Sequence, residues 1–182
     1  LVQFVLVSYL PIPKTVGEMK TKPTQYATRT LNSAGIEPDF IVCRSEQPLD
    51  RKRKDKLSVL CNVSPDDLIS APDAESIYEV PLLLEKENLG EKILRKFDLK
   101  PRSRDLRDWR LLVKKIKKAQ KPLDIAVVGK YFATGDYTLV DSYISVVEAL
   151  RHACWQNNRR PRLHWINSED FEQNPREVEK LK

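Results

Sequence analysis

The chain has 182 residues, 41% of them hydrophobic and 32% charged, and a formal charge of +6. That length suits one full domain or parts of two. No apolar run approaches the roughly 20 residues of a membrane helix, and no charged leader precedes an apolar core with a small-residue cleavage site, so neither a membrane nor a secreted protein is expected.

The charge is local. Twelve Lys and Arg against three Asp fall between residues 95 and 121, a net of +9, so the remaining residues sum to −3. The basicity therefore belongs to one connecting stretch and not to a domain-wide surface of the kind nucleic-acid binders carry. Cys43, Cys61 and Cys154 are odd in number and lack metal-ligand spacing. They read as reduced, mostly buried side chains of a cytoplasmic protein, and no metal site is expected. His152 and His164 stand alone and read as core or surface residues.

Leu1 to Leu10 is apolar at nearly every position, which predicts a strand buried on both faces of a parallel sheet. Thr24 to Ser33 is helix-compatible, with Pro23 suited to a first helical position and Gly35 to the residue past the end. Phe40 to Cys43 predicts a second strand. Asp50 is placed to cap a helix whose Leu57, Leu60 and Cys61 share a face. "SPDD" at 64–67 offers a Ser cap, a first-position Pro and a third-position acid. Leu68 to Ser70 predicts another strand, and Ser76 to Phe97 a largely helical stretch broken near Gly90. This alternation is α/β with a parallel sheet.

"KPRSR" at 100–104 reads as a linker. After it, Trp109, Leu112, Val113 and Ile116 form one apolar stripe on a basic helix, which signals packing and not stacking on bases. Leu123 to Val128 predicts a buried strand ending at Gly129. The next helix carries Leu139, Tyr143, Val147, Leu150 and Cys154 at three- and four-residue steps. Leu163 to Ile166 predicts a strand, and Asn174, Pro175 and Glu177 a further helix start. A second α/β unit thus begins near residue 122.

The loop "GEMKTKPTQ" at 17–25 carries the chemistry. Lys20 and Lys22 are compact charges with three donors each, Thr21 and Thr24 add hydroxyls, and Gly17 frees the backbone. Pro23 opens a helix whose unpaired N–H groups and dipole favour an anion. The loop follows the carboxyl end of a parallel strand, where ligands of α/β sheets collect. A polyanion such as a nucleoside triphosphate suits it; so does the plainer reading of a polar surface loop.

Taken with "GIEPDFIVCRSEQPL", "LCNVSPDDLI", "DAESIYEVPLLLE" and "DIAVVGKY…DSYISVVEALRHA", the loop resembles the CTP synthase family in order along nearly the whole chain. The resemblance implies a ligase that aminates UTP to CTP with ATP and with ammonia from glutamine, in pyrimidine biosynthesis. It implies residues 1–97 as the C-terminal part of a P-loop-type amidoligase domain and 98–121 as a basic interdomain linker helix. Residues 122–182 would open a flavodoxin-like class I glutamine amidotransferase domain.

In the family the KTKPTQ hexapeptide binds UTP as substrate or CTP as feedback inhibitor; here it is Lys20, Thr21, Lys22, Pro23, Thr24 and Gln25. A further nucleotide-binding lysine falls on Lys56, which equally suits a solvated helix face. Arg44, with Pro72, Asp73 and Ala74, matches the region flanking the adenine of ATP. Arg44 pairing with Glu46, and Asp73 as a helix cap, are the plainer readings. The resemblance also implies Mg²⁺, GTP as allosteric activator, and a homotetramer that in some members stacks into filaments. No nucleic acid and no membrane are implied.

No G-x-x-x-x-G-K-[ST] occurs, so the ATP phosphate loop and the magnesium carboxylates are expected upstream. The glutaminase nucleophile needs a sharp glycine-flanked turn and a nearby His. Cys154 lies instead on a helix stripe, so no catalytic residue is expected within the chain. The opening without Met and the stop in a helix-like stretch lead us to expect an interior segment of a longer protein. The alternative from another class is a non-catalytic basic module that binds nucleic acid or a partner through residues 95–121, although it lacks the aromatic signature of RNA binders.

Overall fold

Three parallel strands, β1 (Val5–Tyr9), β2 (Phe40–Ser45) and β3 (Leu68–Pro72), carry the first part of the chain in the spatial order of their sequence. The computed structural model describes residues 1–182 apart from 104, 131, 132, 135, 136, 139, 175, 177 and 180–182. It divides into two units, Leu1–Arg107 and Asp108–Lys182.

In the first unit, helices α1 (Lys22–Ser33) and α2 (Arg51–Cys61) are the crossovers between successive strands. Two crossovers stepping in one direction across a parallel sheet fall on the same face when both are right-handed, and α1 and α2 do pack on each other. Alternation along β2 sends Ile41 and Cys43 to that face and Phe40 and Val42 to the other. One cluster joins Ile41, Cys43 and Leu68 to Leu57 and Cys61 of α2; a second joins Phe40, Val42, Ile69 and Ala71 to Leu84, Leu89 and Ile93. The last three lie on α3 (Val80–Lys86) and α4 (Leu89–Lys96). Helices therefore cover both faces of β2 and β3, and each fully buried Leu such as Leu57 stabilises the unit by roughly 1.5–3 kcal/mol. Asp50 caps α2 as expected, its carboxylate accepting from the Arg53 amide at 2.8 Å.

Two expectations need correction and two hold. β1 is not buried on both faces: Val5, Val7 and Tyr9 are exposed, because among the described residues β1 pairs only with β2 and stands at the sheet's edge. Leu60 is likewise exposed, since it sits a quarter-turn away from the Leu57–Cys61 line. The Ser cap, first-position Pro and acid of "SPDD" are all present: Ser64 accepts from the Asp66 amide and opens a short 3₁₀ turn, Pro65–Asp67, which ends where β3 begins. The helical break expected near Gly90 is present at Asn88, in the left-handed region at φ 56°, and Gly90 itself lies inside α4.

The second unit opens with basic helix α5 (Arg107–Lys118), on which Val113 is buried and Trp109, Leu112 and Ile116 are half-buried. β4 (Lys121–Gly129) and β7 (Arg159–Asn167) pair in parallel from Lys121 opposite Arg159 to Gly129 opposite Asn167. Between them come β5 (Ala133–Thr134) and β6 (Tyr137–Thr138), an antiparallel pair, and α6 (Ile144–Gln156), which buries Val147, Cys154 and Trp155. Short helix α7 (Ser168–Gln173) follows β7 and has no counterpart in the expectations.

β4 was expected to be a buried strand, yet only Val127 on it is buried. Among the described residues it has β7 as its one neighbour, so Leu123 and Val128 stay exposed. Leu139 of the expected stripe, and Pro175 and Glu177 of the expected helix start, lie outside the described residues. No helix of the described residues is long and apolar enough to cross a membrane.

Candidate functional site

All three strands of the first unit end at one edge, and the loops leaving it are stitched together. Ser45 Oγ donates to the Leu10 carbonyl at 2.8 Å, the Leu10 amide donates to the Arg44 carbonyl at 2.7 Å, and the Asp73 amide donates to the Ser45 carbonyl at 2.9 Å. The KTKPTQ loop follows β1, Arg44 is the penultimate residue of β2, and Pro72 to Ala74 lead out of β3. The edge thus brings together the residues expected to meet the two nucleotides, apart from Lys56, which is exposed on α2.

The loop itself is built by short-range geometry. Val16 and Gly17 amides donate to the Pro13 carbonyl, and the Lys20 amide donates to the Pro11 carbonyl at 2.9 Å. Gly17 sits at φ 65° with nothing within 4 Å of where a Cβ would stand. Its glycine therefore serves the turn's left-handed backbone and not a close approach. Thr21 is the N-cap of α1 without a side-chain cap bond; its hydroxyl accepts from Gln25 Nε2 at 3.0 Å. Thr24 is fully buried and its hydroxyl accepts from Ser8 on β1 at 2.9 Å. Thr24 pins the helix start to the strand, while Lys22 and Pro23 face solvent. No acidic residue stands in the first turn of α1, so nothing on the helix itself offsets its positive end.

Lys20 donates to Glu18 at 2.8 Å, and Glu18 also accepts from Arg53 Nη2 at 3.2 Å. Arg53 further donates through Nε to the Met19 carbonyl at 3.1 Å and binds Asp50. This fastening of the loop to α2 was not anticipated. Its signal was the Glu two residues before Lys20, whose partner on α2 no spacing rule reveals. The Lys20 hydrogen bond and charge hold the Glu18 carboxyl below its usual range. Burial pushes Asp50 up, but the Arg53 amide and guanidinium outweigh it and leave its carboxyl lowered.

Arg44 pairs with Asp73 at 2.8 Å, not with Glu46, because β2 and β3 place their ends side by side. The three cysteines are free and buried, and burial pushes the Cys43 thiol up to about 12. Cys154 is thereby part of the α6 packing face. In the second unit Asp124 accepts from His164 at 2.7 Å and Arg162 at 2.9 Å across the β4–β7 pair, and these bonds lower its carboxyl.

The class so defined is an open parallel α/β domain that gathers polar loops at its carboxyl edge, where ligands of such sheets collect. A family model described as CTP synthase N-terminus matches residues 1–99. The chain is 48% identical to a CTP synthase of Synechococcus sp. (strain JA-3-3Ab) over 172 residues, which is 94% of this chain and 31% of that protein. It is 46% identical to a CTP synthase of Pyrococcus abyssi (strain GE5 / Orsay) over 172 residues, with the same two shares. With a CTP synthase of Symbiobacterium thermophilum it shares 44% identity over 171 residues, 94% of this chain and 31% of that protein. The chain belongs to the CTP synthase family. It spans about a third of the length of these relatives.

Proposed function

We propose that the chain carries much of the pyrimidine-nucleotide site of a glutamine-hydrolysing CTP synthase. The uracil 4-oxygen of UTP takes the terminal phosphoryl of ATP; ammonia released from glutamine then attacks that carbon and phosphate leaves, giving CTP. The observation that carries this reading is the placement of Lys20 to Gln25 at the carboxyl edge of β1, opening α1. Lys20, Lys22 and the uncompensated helix end supply positive charge for the phosphates of UTP or of the inhibitor CTP, with Lys56 as a further ligand. Thr21, Pro23, Thr24 and Gln25 hold that turn in shape. Arg44, Pro72, Asp73 and Ala74 border the ATP side.

The domain assignment is part of the proposal: residues 1–97 close the amidoligase domain, 98–121 link, and 122–182 open the amidotransferase domain. Its support is that the N-terminal family model stops at 99 while the relatives match over 94% of the chain. The second parallel strand pair beyond Lys121 agrees with it. The same reading carries ATP and glutamine as substrates, GTP as activator, a homotetramer with filaments in some members, and a cytoplasmic location. Among the described residues no group of three or more His, Cys, Asp or Glu could hold a metal ion. On this reading the carboxylates that hold Mg²⁺ lie upstream of these residues.

In the full-length protein, Lys20→Ala or Lys22→Ala should weaken UTP use by about tenfold to a hundredfold, since a charge-assisted phosphate contact is worth roughly 1.5–3 kcal/mol. Glutamine hydrolysis measured alone should barely change. Unaltered UTP dependence in both variants rejects the site.

A further inference from the structure

One carboxylate in the loop serves two cations. Glu18 gives Oε2 to Lys20 at 2.8 Å and Oε1 to Arg53 at 3.2 Å. The two cations differ in freedom. The Arg53 side chain is 20% exposed and is held by the Met19 carbonyl and Asp50 as well, whereas that of Lys20 is 40% exposed and has Glu18 as its ion-pair partner. A planar guanidinium fixed at several points is a rigid clamp; an ammonium on a flexible stem changes partner at little geometric cost.

We propose that Glu18 stands in for a nucleotide phosphate while the site is empty, and that Arg53 takes over its charge when a phosphate claims Lys20. This rests on the reading that Lys20 is a nucleotide ligand. Glu18 aims Lys20 along the loop before binding and competes with the incoming anion. A phosphate group, with more charge and more acceptors than one carboxylate, displaces it. Arg53 prevents the displaced Glu18 from repelling the bound phosphate. Both are positioning residues that set affinity for the anionic part of the ligand and leave the base untouched.

The test is equilibrium binding of UTP and CTP, with inorganic tripolyphosphate as a probe of the phosphate part alone, to the full-length protein. Removing a competing exposed ion pair is worth up to about fivefold in affinity. Glu18→Gln should therefore tighten all three ligands by about twofold to fivefold, Glu18→Asp should stay near the parent, and Arg53→Met should weaken all three. In the Glu18→Gln background Arg53→Met should change affinity by less than about twofold, because Arg53 acts through Glu18. Thermal midpoints establish that each variant is folded. Weaker or unchanged binding in Glu18→Gln overturns the proposal, and so does an Arg53→Met effect of equal size in both backgrounds. Lys20→Ala separates the two levels: if it leaves binding unchanged, the nucleotide-site reading itself fails; if it weakens binding but Glu18→Gln does not tighten it, only the stand-in role fails.

Discussion

In the first unit β2 lies between β1 and β3 and buries five of its six residues; in the second, β4 pairs among the described residues with β7 alone and buries only Val127. The apolar wording is nearly the same, Phe40-Ile-Val-Cys against Ile125-Ala-Val-Val. Burial is therefore conferred by neighbours, here two flanking strands and a helix layer on each face, and not by the strand's own composition. The contrast extends to the core. Both hydrophobic clusters of the described residues belong to the first unit, which on this reasoning holds the greater stability.

The sharpest way to break the comparison uses the tryptophans, since Trp109, Trp155 and Trp165 all lie in the second unit. Phe40 is fully buried, and Lys96 Nζ sits 4.6 Å from its ring centroid. Phe40→Ala should cost the first unit about 3–5 kcal/mol in urea unfolding followed by far-ultraviolet circular dichroism. The tryptophan fluorescence transition should stay where it is. If it moves equally, the two units unfold as one and their difference in burial has no energetic counterpart.

Trp109→Ala comes next. Half-burial on α5 predicts a loss of about 2 kcal/mol, short of a core tryptophan's 3–5, read from the fluorescence of the other two tryptophans. A loss within about 0.5 kcal/mol would make α5 a solvated tether. Asp50→Ala should cost about 1 kcal/mol at neutral pH by removing the α2 cap. The Asp50 carboxyl is lowered, so its contribution is fully present above its ordinary pKa near 3.9 and is lost as pH falls through the lowered one. The gap between variant and parent should thus close in acid; a gap that widens would mean the cap works through something other than its charge. Smallest of all, Val59→Thr, at an 81% exposed position on α2, should stay within about 0.5 kcal/mol in the same urea titration.

Much of this was legible in the chain itself. β2, β3 and the capped start of α2 follow from alternation and from one Asp, both local signals. The carboxyl-edge loop was legible because Pro23 and the two lysines sit beside a helix start. What stayed hidden depends on which elements become neighbours. The exposure of Val5 and Val7 reflects an edge position that composition does not encode. Arg44 meets Asp73 because β2 and β3 end side by side, 29 positions apart in sequence, while Glu46 looked nearer on paper. Arg53 fastens the loop from another helix for the same reason. The helical break near Gly90 was legible, though it is Asn88 that takes the left-handed backbone, which Asn tolerates.

The buried thiols make each unit report on its own opening. With its pKa near 12, Cys43 exposes only about one part in a hundred thousand as thiolate at pH 7, and the thiolate is the form that reacts. Cys61 is also pushed up by burial. A maleimide or a chlorodinitrobenzene added to the folded chain therefore has no route to either sulfur except through a transient excursion that breaks open the first unit. Cys154, buried on α6, times the second. The labelling half-lives of the three sulfurs, resolved by peptide mass, convert one static packing pattern into a clock with two hands.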